Sequence, residues 1–79
     1  MNRQYYRDAR LIEEELEQAG RPDWAQRIDD AIEGGSSASD VLTQLRTTLI
    51  QIQTQRLNLP AALDEQIERL SSALGRAQA

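Results

Sequence analysis

Val41-Leu42-Thr43-Gln44-Leu45-Arg46-Thr47-Thr48-Leu49-Ile50-Gln51-Ile52 is the broadest apolar surface in the chain. Val41, Leu42, Leu45, Leu49 and Ile52 recur at three- and four-residue spacing, the period of a helix that buries one stripe. Ile50 and Leu57 widen that stripe. Ser36-Ser37-Ala38-Ser39 just before it is turn and cap chemistry. Ser37 with Asp40 resembles a capping box, with Asp in place of the usual Glu. The pattern predicts a central helix over 39–57.

Working back from it, Gly34-Gly35 closes a shorter segment that Arg21-Pro22-Asp23-Trp24 opens. Proline suits the first helical turn, where its missing N–H costs nothing, and Asp23 complements the helix dipole there. Trp24, Ile28, Ala31 and Ile32 give this segment, 22–33, an inward stripe. Before it, Tyr5, Ala9, Ile12, Leu16 and Ala19 mark a helix over 2–19, with Asn2 as its N-cap and Gly20 as the left-handed residue ending it. Beyond the central helix, Asn58-Leu59-Pro60 breaks the chain, because the residue before proline is pushed out of the helical region. Leu63, Ile67, Leu70 and Leu74 then mark a last helix over 60–75, stopped at Gly75, with a frayed tail from Arg76. The expected fold is therefore all-α: one domain, a compact bundle of four short helices.

Seventy-nine residues suffice for one small core, too little to hollow out a deep cleft, so function is expected on the outer surface. Cysteine and histidine are absent. That removes disulfides, thiolate metal sites, the commonest general base and the commonest zinc ligand. Adjacent carboxylates such as Asp29 and Asp30 point about 100° apart on a helix and do not form a catalytic pair. Asp29-Asp30-Ala31-Ile32-Glu33-Gly34 also lacks the alternating oxygen ligands of a calcium loop. No catalytic residue, cofactor or metal is expected. With no apolar run of membrane-spanning length and no apolar signal region, a cytoplasmic location is expected.

Thirteen carboxylates face nine cations, all arginine, for a net charge of −4. Ten of the acids precede position 41, and none lies between Val41 and Leu63. Such a partition is compatible with ordinary solvated helix faces, Arg10 pairing locally with Glu13 and Glu14. Its functional reading is a docking face for a basic protein, in which charge speeds encounter and selects the partner. The residues that would form this face are Glu13, Glu14 and Glu17 on the first helix and Asp29, Asp30 and Glu33 on the second. Tyr6 is the aromatic contact candidate. Tyr5 and Trp24 sit on inward stripes and belong to the core.

Two other readings compete. Leu11, Ile50 and Leu57 fall at the edges of their stripes and could form the apolar centre of a self-interface in a homo-oligomer. The second and third helices could also form a helix-turn-helix, with the amides, threonines and Arg46 of the third reading base edges. The acidic neighbours would repel DNA, and no nucleic-acid or membrane partner is expected.

The run Trp24-x3-Ile28-x3-Ile32-x-Gly34, followed by Ser39-Asp40-Val41-Leu42-x2-Leu45-Arg46-x2-Leu49, resembles small acidic helical bacterial proteins of the immunity type, encoded beside toxins. The resemblance covers about half the chain and consists mostly of helical spacing. It implies one-to-one binding that occludes a toxin's active site or substrate path. It carries over no individual contact residue.

Overall fold

The computed structural model describes residues 3–78. Four helices follow one another: α1 (Arg3–Gln18), α2 (Pro22–Glu33), α3 (Ala38–Gln55) and α4 (Ala61–Gln78). There is no strand among the described residues. The helices form a ring in which each packs on the next and α1 closes against α4. The radius of gyration is 11.4 Å, against about 12 Å for a compact domain of this length.

The connections are short, and each is held by local chemistry. After α1, Gly20 adopts a left-handed φ of 80°. Arg21 N–H donates to the Leu16 carbonyl and Gly20 N–H to the Glu17 carbonyl. This paired closure satisfies carbonyls that a helix end would otherwise leave open. Asn2, expected as the first N-cap, lies outside the described residues.

Segment 22–33 forms a full twelve-residue helix, with Trp24, Ala25, Ile28 and Ala31 buried. At its end the chain turns back closely over the start of α3. A Cβ on Gly35 would stand 2.4 Å from Val41 Cγ2 and 2.9 Å from its backbone nitrogen, so only glycine passes there. Ser37 caps α3, its hydroxyl accepting from Asp40 N–H at 3.2 Å. The reciprocal half of the box is altered. The Asp40 carboxylate accepts from the Ser36 hydroxyl instead, a nearer partner for its short side chain.

Two boundaries differ from the sequence expectation by more than one residue. α3 ends at Gln55 rather than 57, with Arg56 in the left-handed region at φ 52°, ψ 50°. α4 does not stop at Gly75 but runs on to Gln78. Gly75 does not take the left-handed φ of Gly20, and Arg46 of α3 lies over it, with its Nε 3.2 Å from where a Cβ would be. Pro60 precedes α4, and its carbonyl accepts from the N–H groups of Leu63 and Asp64.

One core joins all four helices. Ile12, Leu16, Ile28, Leu45, Leu49, Ile52, Ile67 and Leu74 are its largest fully buried side chains. Each contributes about 1.5 to 3 kcal/mol relative to an exposed position. Trp24 is buried as expected, whereas Tyr5 is half-buried and packs against the core's edge. No helix is long and apolar enough to cross a membrane among the described residues.

Candidate functional site

Helical spacing sorts the acidic residues. Tyr6, Arg10, Glu13 and Glu17 follow one another at four-, three- and four-residue steps, forming one stripe of α1. Asp29 and Glu33 are one turn apart on α2. The two stripes face each other across the α1–α2 seam, and Arg10 stands between them.

Arg10 gathers three carboxylates. Its Nη1 donates to Glu13 Oε1 at 2.8 Å and to Asp29 Oδ1 at 2.7 Å, and its Nη2 donates to Glu33 Oε1 at 2.6 Å. Hydrogen bonding to Asp29, then to Glu13, holds the guanidinium above its already high ordinary pKa, against a small opposing effect of burial. Three negative charges around one positive charge leave the cluster net negative. The local pair anticipated with Glu13 forms, while Glu14, one residue along and 100° around the helix, does not join it.

Of the seven residues expected at a docking face, the structure therefore brings Glu13, Asp29 and Glu33 together. Tyr6 is half-buried on the same stripe, one turn before Arg10, and Glu17 is exposed one turn beyond Glu13. Glu14 and Asp30 are exposed outside the Arg10 cluster, and Asp30 accepts from Gln26 at 2.9 Å. Glu14, Glu17 and Asp30 have no ion-pair partner among the described residues. Glu15, from the same acidic run, turns toward α4 and is excluded from this surface. Its Oε1 accepts a long hydrogen bond from Gln66, and its Oε2 is buried without a partner.

Charge is divided by halves. Up to Glu33 the chain has nine carboxylates and five arginines; after it, four of each. The whole net charge of −4 thus belongs to the α1–α2 half. The central position of Arg10 is the feature of this candidate site that sequence reasoning missed. Its partners at 19 and 23 residues' separation leave no mark on local spacing.

α3 uses much of its polar surface internally. The Thr47, Thr48 and Thr54 hydroxyls donate to carbonyls one turn back in their own helix. Gln51 accepts from Arg27 across the α2–α3 seam. Arg27 also lies 4.6 Å above the Trp24 ring, a cation–π contact. No cluster of three or more carboxylates placed to hold a metal ion occurs among the described residues.

These features define an all-α four-helix bundle with an acidic seam along one edge. No protein-family model, curated protein or solved structure matches the chain.

Proposed function

We propose that this chain is a protein-binding module of the immunity type, whose α1–α2 face docks on a basic protein and occludes its working surface. The observation that carries this reading is the confinement of the entire net charge to the α1–α2 half, with Glu14, Glu17 and Asp30 exposed and unpaired by cations among the described residues. Such a surface raises the rate of encounter with a basic partner and disfavours acidic ones. The Arg10 cluster supports the same role by fixing the two acidic helices in register, so the face is organised before binding and loses little entropy on contact. On this reading the chain, which has neither histidine nor cysteine, works by contact at its surface.

The test compares the tagged chain with the variant E14Q/E17Q/D30N, which leaves the Arg10 cluster untouched. Both serve as bait for the product of the neighbouring open reading frame, expressed and purified separately. The expected result is a one-to-one complex with the unmodified chain, weakened at least roughly tenfold in the variant and steeply salt-sensitive. Equal binding by both baits would remove the acidic face from the reading. No binding by either would remove that partner.

A further inference from the structure

The other flank of α1 carries a second, unrelated surface. A groove of about 480 Å³ runs between α1 and α4, lined among others by Tyr5, Asp8, Leu11, Gln66, Arg69 and Ala73. Leu11 is the most exposed large apolar side chain described, at 49%. It forms part of the groove wall and also projects into solvent.

We propose that this groove is where two copies of the chain meet, each lodging Leu11 in the other's groove with Asp8 of one copy against Arg69 of the other. Three properties point to a second copy as the occupant. First, knob and hole lie on the same patch, which is what a two-fold interface requires of a single surface. Second, the charged groups in the groove wall are one carboxylate, Asp8 on α1, and one guanidinium, Arg69 on α4. A two-fold axis through the groove lays α1 of one copy over α4 of the other and so pairs opposite charges twice. Asp8 has no ion-pair partner among the described residues, and Arg69 is engaged only by the exposed Glu65 at 2.9 Å. Third, Asp8 and Arg69 cancel within the groove wall, so copies meeting groove to groove face no net charge there, whereas the seam of α1 with α2 is net negative. A basic partner would be drawn to the seam instead.

The self-interface expected from sequence is revised by this placement. Leu57 packs against the core and Ile50 lies on α3, across the ring from α1, so neither shares a face with Leu11.

Sedimentation equilibrium of the full chain from roughly 10 µM to 1 mM reads the proposal directly. The mass is expected to rise toward twice that of the monomer. Leu11→Glu should weaken association at least roughly tenfold, and Ile50→Glu should leave it unchanged. Asp8→Arg and Arg69→Asp should each weaken it, and D8R/R69D should restore it to within roughly threefold of the original. Far-UV circular dichroism confirms that each variant is folded. A monomer throughout the range, association that Ile50→Glu abolishes, or no recovery in the double variant would overturn the proposal. The seam variant E14Q/E17Q/D30N should dimerise normally, so the two surfaces stand or fall separately.

Discussion

Arg10 and Asp29 meet at 2.7 Å across nineteen residues of sequence, tying α1 to α2 along the outer edge of their seam. Glu13 and Glu33 complete the cluster, so removing the guanidinium leaves three carboxylates facing one another.

Arg10→Met keeps the aliphatic length and deletes the charge. The Arg10 side chain is 41% exposed, so solvent screens each pair and the cost is expected to be about 1 kcal/mol at low salt. Much of that loss is repulsion among the remaining acids and should shrink at roughly 1 M salt, where screening is near complete within a few ångströms. Urea unfolding at the two salt concentrations checks this, with Glu65→Gln as reference. Its exposed i,i+4 pair with Arg69 should be worth only about 0.3 kcal/mol. Alkaline titration would not serve. An arginine with a raised folded-state pKa contributes stability below its unfolded value and loses it only as pH climbs through the folded one, beyond any useful range.

Arg56→Gly should stabilise the chain. Arg56 terminates α3 at φ 52°, ψ 50°, a conformation that a side chain with a Cβ disfavours and glycine adopts freely. Glycine's greater freedom in the unfolded chain offsets part of the gain, leaving about 0.5 kcal/mol. Thermal unfolding of Arg56→Gly beside Arg56→Ala isolates the backbone effect, since both lose the charge and only one relieves the strain. Equal midpoints would show that the left-handed turn costs little here.

Gly75→Ala should also stabilise, for the opposite reason. Gly75 sits inside α4, where alanine is favoured by about 1 kcal/mol. The added methyl would meet Arg46 Nε at 3.2 Å, but Arg46 is exposed and its side chain can shift. A higher melting midpoint is expected, and a lower one would mean that Arg46 is held in place.

These two positions also show where sequence reading stops. Gly20, Pro22 and Ser37 announced their helix ends correctly because each acts through its own chemistry: Gly20 adopts a left-handed φ, Pro22 lacks an N–H the first turn leaves unused, and the Ser37 hydroxyl accepts from Asp40 N–H. Gly75 carried the same signal as Gly20, yet it does not turn left-handed and α4 runs through it to Gln78. Arg56 gave no signal at all, since nothing in an arginine predicts a left-handed turn. The acidic run was legible as a charge partition. Which acids Arg10 would gather was not, because helical spacing reports neighbours three or four residues apart and is silent on those across a seam.

Leu49 and Ile50 are adjacent, carry side chains of similar size, and differ almost entirely in burial: 0% against 39% exposed. Leu49→Ala removes core volume that the surrounding helices cannot fully reclose, at a cost of about 3 kcal/mol. A chain of this length holds roughly 4 to 12 kcal/mol in total, so the variant should lose a large share of its cooperative transition. Ile50→Ala removes half-hydrated surface and gains helix propensity, so the two effects nearly cancel and the midpoint should move by less than about 0.5 kcal/mol. Chemical denaturation of both variants measures the contrast. Comparable losses at the two positions would mean that α3 is rotated from the orientation that points Leu49 inward, and the core assignment of Leu45 and Ile52 on the same stripe would fall with it.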